Sequence, residues 1–351
     1  MTVSAAPRAA LFTMGPGDEL FSKFGHAALC IVDPEMPGGG LCYNYGTSDF
    51  SRPVGLGWDV VRGRAKFWVS VSDVITMLVQ FQAQDRTIHR QWLPLSAEQV
   101  ATLERTLALD ASPANREYVY SHFLDNCSTR PRDLIDEATD GALSRSTLPN
   151  ERTYRDYARA GFASSQWGLV PAGDLILGRW VDQDISVYEA MFIPTVLRAA
   201  VERAFGAEPE TVYERQSPRA PADVSGALRL FWLVVAAASF IAWLVRPGAR
   251  LVAAVLAMVG GLIWAGALVS PWPELRINEL LLVFVPLDVL LLRRGGAVPR
   301  RYLDARLIAL GVVAVLALAG LFVQPIWPYW VLATSVVTAF WWRSRRDILA
   351  R

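Results

Sequence analysis

The residues able to carry out covalent chemistry in this chain are few. Three cysteines and three histidines occur among 351 residues. Cys127 lies in Asp125-Asn126-Cys127-Ser128-Thr129-Arg130, where every neighbour is polar. That setting argues against the small buried hydrophobe that most free cysteines are. Pro131 fits the first turn of a helix over Arg130–Ala138, which Gly141 ends. Cys127 is therefore expected at a helix N-terminus, directly after an extended segment, Tyr118–Leu124. The partial positive charge there favours the thiolate, which is the attacking form. A thiol nucleophile also needs a base within hydrogen-bond reach. His26 follows Phe24-Gly25 at the mouth of a strand, where glycine lets another backbone approach, and it is the best candidate. His89, between Arg86 and Arg90, reads as solvated, and His122 as a residue lining a strand. Three cysteines are too few for a disulfide framework or a closed structural zinc site. No metal or organic cofactor is called for.

The elements that must position this pair read as α+β. Ala9–Met14 is a strand ending in the turn Gly15-Pro16-Gly17-Asp18. His26–Asp33 and Leu41–Gly46 form a hairpin across Pro34 and Pro37-Gly38-Gly39-Gly40. Lys66–Ser72 alternates as a strand does, and Ile88–Leu93 less clearly. Ser96-Ala97-Glu98-Gln99 is a capping box opening a helix over Ala97–Leu109, apolar at Val100, Leu103 and Leu107. Cys30 and Cys42 flank the hairpin turn. Two readings stand for them: a disulfide that leaves Cys127 as the one free thiol, or two buried reduced thiols, the preferred reading.

Composition divides the chain. The apolar fraction is 53%, the charged fraction 19% and the mean hydropathy +0.27, too apolar for an ordinary soluble enzyme and incompatible with disorder, collagen or a disulfide scaffold. A net charge of +1 gives no electrostatic case for nucleic acid. Residues 1–225 read as a globular catalytic domain and residues 226–351 as a transmembrane helical domain. The latter holds five apolar runs: Leu230–Val245, Leu251–Ser270, Leu280–Leu292, Leu307–Val323 and Trp327–Trp342. Arg246 and Arg250 separate the first two runs, and Arg293, Arg294, Arg300 and Arg301 lie between the third and fourth. Arg343, Arg345, Arg346 and Arg351 follow the last, whereas the stretches Pro271–Glu274 and Gln324–Pro325 carry no lysine or arginine. The positive-inside rule puts the arginine-rich connections in the cytoplasm and the N-terminal domain outside. Asp288, inside the third run, is expected at the interface, paired with Arg293. Met1–Ala10 has no signal-peptide core, which points to a start upstream or a trimmed chain.

Taken together, Gly15-Pro16-Gly17-Asp18-Glu19-Leu20, Phe24-Gly25-His26-Ala27-Ala28, Tyr43-Asn44-Tyr45-Gly46-Thr47 and Asp125-Asn126-Cys127-Ser128-Thr129-Arg130 resemble the periplasmic domain of the Lnb-type lipoprotein N-acyltransferase family. Glu189-Ala190-Met191-Phe192-Ile193-Pro194 resembles the segment that closes that domain. Asn278-Glu279-Leu280-Leu281 with Pro286-Leu287 resembles the membrane part. The chain departs from the family in having Cys30 where an arginine often follows the histidine. The resemblance implies a circularly permuted papain-like (NlpC-like) domain followed by an all-α transmembrane bundle of about five helices, in the inner membrane with the N-terminal domain facing the periplasm or outside. It implies Cys127 as nucleophile and His26 as base, a phospholipid as acyl donor and a lipoprotein N-terminus as acceptor. The Cys127 N–H is the first oxyanion donor, with Asn126, Tyr43 or Tyr45 as the second. Asn44 or Asp49 orients His26. Two other classes compete: a membrane-anchored cysteine amidase or peptidase acting on the envelope, and a non-catalytic module binding lipid or a partner.

Overall fold

The computed structural model describes residues 6–145, 150–163, 168–219, 222–293 and 298–349. Arg294 and Arg351 of the charge pattern lie outside the described residues. The chain forms two compact units, one of residues 1–157 and 184–221, the other of residues 158–183 and 222–351.

The first unit is built on a seven-stranded sheet of β1 (Arg8–Met14), β2 (His26–Val32), β3 (Gly40–Thr47), β4 (Lys66–Asp73), β5 (Ile88–Trp92), β6 (Glu117–Val119) and β7 (Glu210–Tyr213). The order is β6-β4-β3-β2-β1-β5-β7, and every neighbouring pair is antiparallel. The central strands β1 and β2 are almost wholly apolar because helices cover both their faces. Leu11, Leu29, Tyr43 and Tyr45 face the helices α3 (Ala97–Asp110), α4 (Thr129–Ala138) and α5 (Pro194–Phe205), which follow α1 (Pro53–Val61) and α2 (Val74–Ala83) in the chain. Phe12, Ala28, Cys30 and Cys42 face Met77 and Phe81 of α2. The Ser96–Gln99 capping box forms as expected: the Ser96 hydroxyl accepts from Gln99 N and the Gln99 side chain accepts from Ser96 N.

Three differences from the sequence reading bear on the site. Cys30 and Cys42 are directly paired residues of β2 and β3 and are joined by a disulfide, which corrects the preferred reading of two reduced thiols. The extended segment stops at Val119, and residues 121–125 form a turn closed by a Ser121–Asp125 bridge. Asp73 caps α2, accepting from Thr76 N at 2.8 Å. That helix was unforeseen because β-branched Val74 and Ile75 prolong the look of β4.

In the second unit, the helices Val224–Leu244 and Arg246–Val269 are each long and apolar enough to cross a membrane. They leave Leu233, Phe240, Leu251, Met258, Leu262 and Leu268 exposed. Two further long helices span Arg300–Leu318 and Trp327–Leu349. The third apolar run is not an α-helix but two 3₁₀ segments, Glu279–Leu282 and Pro286–Leu292. Pro286 cannot continue a helix. The carbonyls this break frees are claimed by side chains: Trp264 Nε1 donates to Phe284 O at 2.8 Å, and Arg306 donates to Val283 O. Asp288 is buried and held by Arg306 Nε at 2.9 Å and Tyr302 Oη at 2.6 Å. Its partner is thus Arg306 rather than Arg293, which sequence proximity had favoured.

Candidate active site

The β2–β3 ladder runs from Val32–Gly40 to Leu29–Tyr43 and no further, although β2 stays paired to β1 as far as His26–Met14. The two strands therefore part over His26–Ala28 and Asn44–Gly46, and Cys127 stands in the opening. The Ala27 backbone N–H, next to His26, favours the ionised form of its thiol. Gly46, at φ +86°, makes the opening possible, since a Cβ there would lie 3.0 Å from Cys127 Cβ. Gly25, at φ +90°, turns the chain into β2, and a Cβ there would lie 2.8 Å from Met14 O.

His26 Nε2 lies 3.2 Å from Asn44 Oδ1. With that oxygen as acceptor, Nε2 carries the proton and Nδ1 is left with its lone pair, the form a general base needs. The imidazole also stacks on Phe81 with ring centroids 5.5 Å apart. Burial dominates the proton affinities. It pushes the Cys127 thiol up to about 11, against the lowering effects of Ala27 N–H and Arg86. It pushes His26 down to about 4, helped by Arg86 and opposed by Asn44. Thiol and imidazole are consequently both uncharged at neutral pH. The expectation of a thiol acidified by a helix start fails here because α4 begins at Thr129, two residues on, and desolvation outweighs the helix end.

Residues 3–160 match the family described as the Lnb N-terminal periplasmic domain. The stretch from residue 3 to 160 is assigned to that family. No curated protein and no solved structure matches the chain.

Within the Lnb domain, the other predicted site residues separate. Asn44 is 8% exposed and reaches His26, whereas Asp49 is exposed and accepts from Ser51 N at 3.0 Å, so of the two only Asn44 is placed to orient the imidazole. Asn126 is buried and fully engaged. Its amide nitrogen donates to His122 O (2.7 Å) and Phe192 O (3.0 Å), and its oxygen accepts from Ser128 N (2.7 Å) and Thr129 N (2.9 Å). It shapes the turn that presents Cys127 and has no donor left for an oxyanion. Tyr45 donates to Asp110 Oδ2 at 2.7 Å, and Tyr43 packs in the core, so neither phenol serves the thiol. His122 lies among Phe24, Tyr120, Phe123 and Phe192. His89 is near Thr211, on the far strands.

One residue beside the pair was not singled out. Arg86 is 4% exposed; its Nε donates to Gly15 O at 2.8 Å, and its guanidinium lies 5.0 Å over the Phe81 ring. Its charge acts on both Cys127 and His26. In the sequence it appears only as a neighbour of His89, because the contacts that matter come from Gly15 and Phe81.

Proposed function

We propose that this protein is a membrane-bound N-acyltransferase that moves a fatty acyl chain from a phospholipid, through a Cys127 thioester, to the N-terminal amine of a lipoprotein. The observation that carries the reading is a free thiol in an Lnb domain, packed against Gly46 at the end of β3, together with a His26 ring 3.2 Å from Asn44 Oδ1 at the start of β2. A Cys-His-Asn set is the papain-like arrangement, and the histidine strand preceding the cysteine fits the permuted order. Surroundings support a lipid substrate. Leu20, Phe21, Phe50, Val54 and Trp58 are exposed on the segments leading into His26 and away from Gly46, and the Phe21 and Phe50 rings are 5.1 Å apart.

His26 Nδ1 takes the Cys127 proton as the sulfur attacks the ester carbonyl. The tetrahedral oxyanion collapses, the C–O bond to glycerol breaks, and the imidazolium proton goes to the departing lysophospholipid oxygen. The lipoprotein amine then attacks the thioester, an amide forms, the C–S bond breaks, and the amine's proton returns through His26 to the thiol. The Cys127 backbone N–H is the one oxyanion donor assigned. The second unit is read as the inner-membrane part, with its arginine-rich end cytoplasmic and the Lnb domain periplasmic.

Protein given phospholipid without acceptor should accumulate a hydroxylamine-sensitive acyl label on Cys127. Cys127→Ser and His26→Ala should each abolish it, and the double variant should be no worse than either, because the two act as a unit. A label that survives Cys127→Ser refutes the nucleophile. Release of a peptide fragment with no label would replace transfer by amidase or peptidase chemistry on the same pair.

A further inference from the structure

The loop Gly15–Asp18, which joins β1 to the approach to His26, is surrounded by cations. Arg86 Nε donates to Gly15 O, Arg219 donates to Pro16 O, and the Lys23 ammonium, on a side chain only 3% exposed, donates to Asp18 O and lies 3.5 Å from Gly17 O. Arg215 pairs with Asp18 Oδ2 at 2.8 Å and lies 4.0 Å from Asp85 Oδ2. Three carboxylates, Asp18, Glu19 and Asp85, thus act on four cations, and Asp85 is already occupied by Tyr213 Oη and the N–H groups of Gln216 and Ser217. Two buried guanidinium nitrogens, Arg86 Nη2 and Arg215 Nη1, have no partner among the described residues. Burying cationic N–H groups without an acceptor is costly, so such a site is completed by an anion.

We infer that this cluster is a phosphate subsite, which takes the phosphodiester of the acyl donor between Arg86 and Arg215. The inference rests on the phospholipid reading above and deepens it. Arg86 links the subsite to the chemistry, because it holds the residue after Met14, the partner of His26 across β1–β2, and covers the ring on which His26 stacks. In a glycerophospholipid the ester carbonyls lie only a few bonds from the phosphate. A phosphate held beside His26 therefore brings an ester carbonyl within reach of Cys127, and the free energy of binding the headgroup is used to orient the scissile bond. The crowding of cations is consistent with this. Lys23 is pushed below its usual value by burial and by Arg219, and Arg86 is pushed down to about 10 by burial.

The test uses the full chain in neutral detergent. Calorimetric titration with glycerophosphoglycerol, a soluble phosphodiester headgroup, should show binding that Arg86→Gln and Arg215→Gln each weaken by about tenfold, the loss of one charge-assisted contact. Arg86→Lys, which keeps the charge, should weaken it less and covers the case in which Arg86→Gln does not fold. Cys127 acylation from phosphatidylglycerol should show a raised KM in the same variants, and diacylglycerol, with the same esters and no phosphate, should be a poor donor to the wild type. Absence of diester binding in the wild type, or binding unchanged in Arg215→Gln and Arg86→Lys, overturns the subsite. Tighter binding of inorganic phosphate than of the diester overturns the headgroup as its occupant. Diester binding that the variants weaken, with no phospholipid ever acylating Cys127, upholds the subsite and refutes the transferase reading instead.

Discussion

A thiol whose proton affinity is set by burial should behave unlike one in a preformed thiolate–imidazolium pair, and alkylation by iodoacetamide distinguishes the two. Cys127 is the one free cysteine, since Cys30 and Cys42 are bonded, so labelling reports on it alone. With the thiol near 11, its thiolate fraction at neutral pH is about 10⁻⁴, whereas an unperturbed cysteine near 8.5 has about 3 × 10⁻². Reaction at pH 7 should therefore be about 300-fold slower than that of a free cysteine, before any allowance for restricted access. Access scales the rate but not its slope. The rate should climb tenfold for each pH unit between about 7 and 10, with no plateau on the acid side, because a base near 4 stays neutral throughout that range. His26→Ala should change this profile by less than about threefold, since the resting imidazole carries no charge to stabilise the thiolate. The measurement is mass-spectrometric labelling against pH for wild type and His26→Ala. A plateau between pH 5 and 8 that His26→Ala removes would refute the neutral pair. On this account the thiol ionises only when substrate is bound and His26 takes its proton in the attack itself, which limits idle oxidation or alkylation between turnovers.

Two further predictions concern stability and placement. The Cys30–Cys42 bond closes a loop with a sequence separation of 12, so Cys30→Ala with Cys42→Ala should lower the unfolding free energy of the Lnb domain by about 3 kcal/mol in denaturant titration, and an unchanged midpoint under oxidising conditions would show that the bond does not form. A reporter active only in the cytoplasm should be active when fused after Arg301 and silent when fused after Pro273, and the opposite pattern would overturn the outward placement of the Lnb domain.

Much of the Lnb domain was legible because its elements announce themselves locally. β1 and β2 end at Gly/Pro clusters, and α3 opens on a capping box that forms as written. The choice of Asn44 over Asp49 was also within reach of the sequence. Residues alternate faces along a strand, so His26, Ala28 and Cys30 share one face of β2, and Cys42 and Asn44 share one face of β3. Once Cys30 is opposite Cys42, Asn44 must be on the His26 side. Two features were not readable in this way. The proton affinity of Cys127 follows from its half-buried place at the ends of β2 and β3, which no flanking residue encodes. Arg86 owes its place to an acceptor 71 residues away in sequence.

The third apolar run shows where counting hydrophobic residues misleads. Leu280–Leu292 has the composition of a helix, but Asn278 accepts from Leu280 N at 2.9 Å and Pro286 interrupts the middle of the run, which breaks into 3₁₀ turns. Two acids, Glu279 just before the run and Asp288 within it, mark where it sits. Glu279 accepts from the N–H groups of Val323 (3.1 Å) and Gln324 (2.9 Å), just before the helix that starts at Trp327, whereas Asp288 is bound by Tyr302 and Arg306 in the first turns of the helix that starts at Arg300. The segment between them thus runs from one end of the long helices to the other, although it is not one of them. Arg343 donates to the carbonyls of Ala242 and Trp243, which puts the start of the final arginine cluster at the same end as Arg246. Two helices of this unit, Val224–Leu244 and Arg246–Val269, are long and apolar enough to cross a membrane, and on the membrane reading proposed above the irregular backbone of the third run lies at the depth they span. Such backbone is tolerated at that depth only where protein covers it, and here Leu280, Val283, Phe284 and Leu291 are all buried.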